Sequence, residues 1–319
     1  MRQIHHLGMN LVRARCSNPD PLGAYAGPVD KLTLRIDFRL DLRSTLSYLQ
    51  GFFRPDGWWC PMRSPEGAAT LHLRRSARGI EAVAYGPGAT WALASVRGLI
   101  GLDDSPASFV TNHPLIAELH RTHPGLRMGR TNRVFEALTV AILTQKVTGR
   151  EARQSLRKLR YRFSDPAPGA DSTLRLPSDP AGLAASTYYD LHPLGIEKRR
   201  ADTLLAAARQ AEAIDRLWQV SPTDARVWLE RLPGVGAWTS AETVAVSHGD
   251  PDAVSIGDYH LKNVVAWHLT GRPRGTDQEM MELLEEFKPQ RGRVVRLLET
   301  LGHAPAFGPR MPIRSFAGY

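Results

Sequence analysis

The sequence predicts a small antiparallel α+β domain followed by a mostly α-helical bundle, and three observations carry that prediction. Leu32, Leu34, Ile36, Phe38 and Leu40 alternate with Lys31, Thr33, Arg35, Asp37 and Arg39, the period-two pattern of a strand with one buried face. From Asn112 onward apolar residues recur at three- and four-residue steps, as one face of a helix requires. The chain is 42% hydrophobic and 23% charged over 319 residues, the composition of a folded chain long enough for about two domains.

Residues 1–30, rich in Gly, Pro, Asn and Arg, are expected to form a flexible arm. The α+β domain follows over 31–111. Its first strand covers 31–40, Leu71 with Leu73 and Ile80 with Ala82 and Ala84 suggest two more, and the segments after Ser44 and Thr90 have helical character. The helical domain spans 112–302. Asn112 is placed to cap a helix carrying Leu115, Ile116 and Leu119, and Thr131 a longer one carrying Val134, Leu138, Ala141, Ile142 and Gln145. Residues 164–180, with four prolines, form a loop. Further helices are expected near 197–213, 223–231, 237–248, 258–269, 277–287 and 291–301, with Thr276 and Glu279 as a capping box for the penultimate one. Residues 303–319 are expected to form a basic tail.

The net charge of +9 and pI of about 9.9 call for a polyanionic partner, nucleic acid first and an anionic membrane surface second. Only six of the 41 basic residues are lysine. Arginine forks suit phosphate geometry, although a coding bias toward arginine would give the same composition. Two cysteines, Cys16 and Cys60, cannot make a four-thiolate zinc or iron–sulfur site. They do not make a disulfide framework either, so a reducing cytoplasm fits. No apolar run approaches the ~20 residues that span a bilayer, and 1–28 lacks the apolar centre of a signal peptide.

The stretch richest in chemical content is Leu232-Pro233-Gly234-Val235-Gly236, between two helical segments. Two glycines one residue apart allow a tight turn and a close backbone approach. The N–H groups at the start of the next helix can then hold a phosphate. An ordinary helix–helix turn with a glycine cap would look the same. Further along, Ser255-Ile256-Gly257-Asp258-Tyr259-His260 sets a carboxylate just ahead of an apolar helix, the usual place for an N-cap.

This run of helix, hairpin, helix, short loop and Asp-led helix resembles the helix-hairpin-helix DNA glycosylases, in which the aspartate at this place is both cap and catalytic group. Other segments are similar to the bacterial 3-methyladenine DNA glycosylase II branch. They are His123-Pro124-Gly125-Leu126-Arg127, Ala141-Ile142-Leu143-Thr144-Gln145-Lys146-Val147-Thr148, Leu194-Gly195-Ile196-Glu197-Lys198-Arg199-Arg200-Ala201, and Lys288-Pro289 followed by Arg291. The resemblance covers roughly 112–301 and implies a monofunctional DNA glycosylase acting in base excision repair. Such an enzyme flips a damaged, alkylated purine out of duplex DNA and hydrolyses its N-glycosidic bond.

On this resemblance Asp258 is the catalytic residue. Trp238, Glu242 and Glu299 line the base pocket, and Leu232, Gly234, Val235, Gly236, Gln145, Lys146 and Arg291 face DNA. Backbone carbonyls of Leu232 and Val235 are candidates for a Na⁺ or K⁺ ion, with no organic cofactor and no iron–sulfur cluster. The implied partner is double-stranded DNA carrying damaged bases, met by a monomer in the cytoplasm at the nucleoid and not at a membrane.

Relatives that also cut the backbone carry a Schiff-base lysine where this chain has Trp238; core packing is the plain alternative for that tryptophan. The chain departs from the branch at Lys146, in place of an apolar wedge, and at Glu242 and Glu299, in place of aromatic pocket residues. Glu242 lies one turn past Trp238 on the same face, where it meets either the base or a nearby arginine. For Arg291 a solvated helix face is the alternative. A second function fits the altered pocket: a non-catalytic damage-sensing or architectural DNA-binding protein.

Overall fold

The structure is a computed structural model that describes residues 27, 29–169, 171 and 173–305. Among these the chain forms two compact units interleaved in sequence. One takes the residues up to 39 with 50–97 and 164–177; the other takes 40–49, 98–163 and everything from 178. The expected division at 111 and 112 has neither excursion. The proline-rich segment after Phe163, expected only as loop, belongs to the sheet-bearing unit. Most of the expected arm and tail lies outside the described residues.

The first unit is an antiparallel five-stranded sheet in the order β1-β5-β4-β3-β2. The strands are β1 (Val29–Leu34), β2 (Phe52–Arg54), β3 (Gly57–Ser64), β4 (Gly67–Ser76) and β5 (Gly79–Tyr85). Leu32, Leu34, Leu71, Leu73, Ile80, Ala82 and Ala84 are all buried, as their alternation predicts. The first strand nevertheless stops at Leu34, opposite Ile80. Its partner strand begins one residue before that, at Gly79, so residues 35–40 have no ladder to join, although their burial goes on alternating to Leu40. Strands β2 and β3 escaped the sequence. The first is three residues long, and Trp58-Trp59-Cys60-Pro61-Met62 is buried on both faces, which erases period-two patterning. Trp59 stacks on His72 and Tyr85, so the tryptophans serve the core of this unit.

Helices, numbered along the chain, are α1 (Leu42–Leu46), α2 (Ala89–Leu99), α3 (Pro114–Thr122), α4 (Val134–Thr144), α5 (Gly149–Phe163), α6 (Pro180–Ala184), α7 (Tyr188–Leu191), α8 (Lys198–Ala208), α9 (Ala211–Arg216), α10 (Pro222–Leu229), α11 (Ala237–Ser247), α12 (Leu261–Thr270), α13 (Asp277–Leu284) and α14 (Arg291–Glu299). Among its described residues the second unit has these two apolar cores. Leu138, Ile142, Leu204, Leu229, Leu232 and Val235 belong to one. Ile116, Leu261, Val265, Leu284, Val294 and Leu298 belong to the other.

Two caps and one helix start differ from expectation. His113, not Asn112, precedes α3, because Pro114 is preset for the first helical position. Arg133, not Thr131, precedes α4; Asn132 takes a left-handed turn (φ 55°), and the Thr131 hydroxyl accepts instead from the Arg133 N–H at 3.3 Å. Helix α12 starts at Leu261 rather than 258, after a short turn. The Thr276–Glu279 capping box is present, with N–H to side-chain bonds of 2.7 and 3.1 Å.

Candidate active site

Helix α10 ends by passing the Leu232 N–H back to Leu229 O at 3.0 Å, and Val235 N–H closes the hairpin onto Leu232 O at 3.0 Å. Leu232 and Val235 are buried and anchor the turn in the core, while Pro233, Gly234 and Gly236 stand exposed. The two glycines are there for different reasons. Gly234 has φ 88°, and a Cβ on it would fall inside contact distance of the Thr203 side chain on α8, which is itself buried. Gly236 has φ −117° and ψ −172°, open to any residue, and a Cβ there would meet nothing within 4 Å. The fold therefore demands glycine at 234 and leaves 236 unconstrained. The N–H groups of Gly234, Gly236 and Ala237 have no acceptor among the described residues, and no side chain caps α11. This is the helix start a phosphate fits. Beside it an open cleft of about 490 Å³ is lined by Lys198, Arg199, Asp202, Thr203, Pro233 and Gly234. Lys198 and Arg199 went unassigned from the sequence, although they lie in a segment that carried the resemblance.

From the hairpin, α11 carries Trp238 toward Asp258. The indole N–H of Trp238 donates to Asp258 Oδ2 at 3.1 Å, while Oδ1 accepts the N–H groups of His260 (2.8 Å) and Leu261 (2.9 Å). One carboxylate thus caps α12 and faces Trp238 at once. Both residues are half-buried.

One turn along α11, Glu242 accepts a hydrogen bond from the Ser255 hydroxyl. Burial pushes its carboxyl above the usual range; Asp258 and Glu299 push the same way, while Ser255 and Arg296 oppose them. Glu299, on α14, is likewise raised by desolvation and by Asp258, against Arg296 and His303. Three carboxyl groups therefore share one electrostatic neighbourhood with the guanidinium of Arg296. That guanidinium lies over the Tyr48 ring, 3.9 Å from its centroid, and donates to Ser44 O at 3.1 Å. Ser255 and Arg296 had no sequence signal; only the fold brings them to the carboxylates.

Gln145 donates from Nε2 to Gly234 O (3.0 Å) and to Thr239 Oγ1 (2.8 Å), holding the hairpin to the end of α4. Lys146, next to it, is exposed with φ 53°, a conformation that costs a non-glycine residue about 1–2 kcal/mol and often marks a functional position. Arg291 is half-buried and committed to Asp252, with Nε to Oδ1 at 2.9 Å and Nη2 to Oδ2 at 2.5 Å; its guanidinium is already matched by a carboxylate. Tyr189 is exposed and Tyr188 bonds His192 at 2.8 Å. No cluster of His, Cys, Asp or Glu suited to a metal occurs among the described residues, and no described helix is long and apolar enough to cross a membrane.

The architecture is that of the helix-hairpin-helix DNA glycosylases. The chain is similar to a 3-methyladenine DNA glycosylase from Archaeoglobus fulgidus, with a TM-score of 0.69 at 15% identity over 84% of this chain and 98% of that one. It is also similar to MBOgg1 in complex with a low-affinity DNA ligand (0.66, 16% identity, 85% of this chain and 93% of that one). A third likeness is to the Clostridium acetobutylicum 8-oxoguanine glycosylase/lyase in complex with double-stranded DNA (0.64, 14% identity, 85% and 93%). At these identities the likeness is one of fold. No protein-family profile matches the sequence, and no curated protein does.

Proposed function

We propose that the chain is a DNA-repair glycosylase that hydrolyses the N-glycosidic bond of a damaged, alkylated purine in duplex DNA and leaves the backbone uncut. The observation that carries this reading is Asp258, a carboxylate fixed by two backbone N–H groups and an indole N–H, in the turn before α12 and one helix on from a hairpin with open N–H groups. Phosphate held at Gly234, Gly236 and Ala237 positions the duplex without reading its sequence. The damaged nucleotide is turned out of the stack toward Trp238. As the bond between C1′ and the base nitrogen breaks, the base takes the bonding electrons and the sugar gains oxocarbenium character. The Asp258 carboxylate stabilises that charge from a preset position. Water adds at C1′, its proton passing to Asp258, and the free base leaves.

Trp238 supports the monofunctional reading, since an indole forms no Schiff base. Lys262, one turn past Asp258, is ion-paired with Asp277 at 3.3 Å. The reaction needs no organic cofactor and no iron–sulfur cluster. A monovalent cation would sit against the carbonyls of Leu232 and Val235; Leu232 O already accepts one N–H and keeps a second lone pair. The protein would act as a monomer on DNA in the cytoplasm.

A second reading, a damage sensor without turnover, draws on Glu242, a half-buried carboxyl in the neighbourhood of Asp258. Mass spectrometry of bases released from alkylated duplex DNA decides between them. Free alkylpurine appearing with time, in excess over enzyme, supports the glycosylase. Tight binding to damaged DNA with no released base supports the sensor.

A further inference from the structure

Helix α5 is unlike any other helix among the described residues in charge. Over Gly149–Phe163 it holds Arg150, Arg153, Arg157, Lys158, Arg160 and Arg162 against a single acid, Glu151. That acid is spent on its own helix start, accepting from the Thr148 N–H and hydroxyl at 2.8 and 2.7 Å. Arg160 is paired with Glu136 at 3.3 Å. Ala152, Ser155, Leu159 and Phe163 are the buried residues. At 100° per residue, Arg150, Arg153 and Arg157 fall on the opposite side, and all three are exposed. None of the three has a carboxylate partner among the described residues.

Like charges three and four residues apart repel on a helix. The stripe therefore works against the helix that bears it unless an anion meets it. A coding bias toward arginine would explain arginine in place of lysine, but not the lack of acids beside it.

From this stripe we infer that the outer face of α5 is a second phosphate-binding surface, which takes the backbone of the duplex flanking the segment held by the hairpin. The inference rests on the DNA-binding part of the proposed function and not on catalysis. Two connections lead from the stripe to the hairpin. Helix α5 starts four residues after Gln145, whose amide holds Gly234 O. Its inner side meets the turn before α8 through Ser155 Oγ to Gly195 O (3.3 Å) and Lys158 Nζ to Pro193 O (3.4 Å). That turn leads into Lys198 and Arg199 of the cleft. Seven residues at ~1.5 Å rise carry the stripe along roughly 10 Å. One strand of duplex spaces its phosphates by about 3.4 Å of axis, so the stripe spans about three of them.

The test compares wild type with the triple variant Arg150→Gln, Arg153→Gln, Arg157→Gln, and with the corresponding triple lysine variant. Undamaged duplexes of about one and about three helical turns are titrated by fluorescence anisotropy across a salt series. Each lost phosphate contact removes ~0.9 from the slope of log K against log salt. The glutamine variant should lose about 3 in slope on the long duplex and nothing on the short one. The lysine variant should keep the wild-type slope and midpoint, and the glutamine variant, relieved of like-charge repulsion, should unfold no lower than wild type.

An unchanged slope on the long duplex, with Gly236→Ala still weakening binding, overturns the stripe and leaves the hairpin standing. An equal loss on both duplexes overturns the flanking placement. Stripe-dependent binding to vesicles of anionic lipid, with the DNA slope unchanged, assigns the surface to a membrane and overturns the inference. Absence of DNA binding by wild type overturns both this inference and the function it rests on.

Discussion

The two hairpin glycines separate fold from function, and substituting each with alanine measures the separation. At Gly234 the backbone is left-handed (φ 88°), which costs an alanine about 1–2 kcal/mol. Its methyl would also press on Thr203, whose hydroxyl is tied to Arg199 O at 2.9 Å and which is buried, so little can yield. Overpacking of this kind costs about 1–3 kcal/mol. Gly234→Ala should therefore lose about 2–5 kcal/mol, or roughly 5–15 °C in midpoint at a few degrees per kcal/mol.

At Gly236 neither term exists. Reduced freedom of the unfolded chain favours alanine by about 0.4–1 kcal/mol, and alanine's poorer capping opposes that by a similar amount. The midpoint of Gly236→Ala should stay within a degree or two of wild type. Its methyl, however, stands where phosphate approaches the open N–H groups. A hydrogen bond to a charged group contributes about 1.5–3 kcal/mol, so affinity should fall at least about tenfold, equally on damaged and undamaged duplex. Thermal unfolding by circular dichroism and anisotropy titration read the two effects. Near-normal DNA affinity in a stable Gly236→Ala protein would refute the phosphate assignment. A midpoint loss matching that of Gly234→Ala would refute the steric account.

Wild type should give no borohydride-trapped adduct with abasic DNA, and strands should stay intact until heated in alkali; an enzyme-dependent nick with a trapped adduct would refute monofunctional chemistry. Glu242→Gln imitates the protonated carboxyl. Because burial raises the pKa of Glu242 above 4.5, its contribution to stability is full below that value and is lost as pH rises through the folded value. The variant should therefore gain thermal midpoint over wild type at pH 8 and none at pH 4, and equal shifts at both would sink the assignment. If Glu242 faces the base, the same variant should alter the ratio of 3-methyladenine, 7-methylguanine and hypoxanthine released, while DNA affinity holds.

The helical half was legible because its faces are one-sided: Ile116, Leu138, Leu229 and Leu298 are buried at the spacing the pattern requires. The strands were legible only where one face met solvent. Trp58 to Met62, buried throughout, left no alternation to detect. The interleaving of the two units is a property of long-range pairing and leaves no local trace; Arg54 meets Asp171 in an ion pair that no motif announces. In the site, Gly234, Gly236, Trp238 and Asp258 are consecutive enough in chain for a motif to hold them. Arg296 is not, and Ser255, though it stands in the same run as Asp258, carried no role there; both roles come from how α14 and the turn before α12 lie beside α11. Gln145, placed facing DNA by the resemblance, also has a role inside the fold. Its Nε2 donates to Gly234 O and Thr239 Oγ1, a contact that no local pattern announces.

Asp258 poses the sharpest question, because capping and catalysis ask the same carboxylate for different atoms. Oδ1 takes the N–H groups of His260 and Leu261, and Oδ2 takes the indole of Trp238. A neutral amide keeps an acceptor at Oδ1 and caps about as well as a carboxylate, but it carries no charge to set beneath an oxocarbenium ion. Alanine removes both, and a lost cap costs about 0.5–2 kcal/mol. If Asp258 only caps, Asp258→Asn should release base normally and Asp258→Ala should fail in proportion to its lost midpoint. If it caps and catalyses, both variants should lose about 10²-fold or more in release, and alanine, which loses the cap, should lower the midpoint further than asparagine, whose amide NH2 only meets the Trp238 N–H as a second donor. DNA affinity should hold within a few-fold in the asparagine variant, since the charge acts chiefly in the transition state. Base release surviving in a stable Asp258→Asn protein removes Asp258 from the reaction and leaves it as the cap of α12.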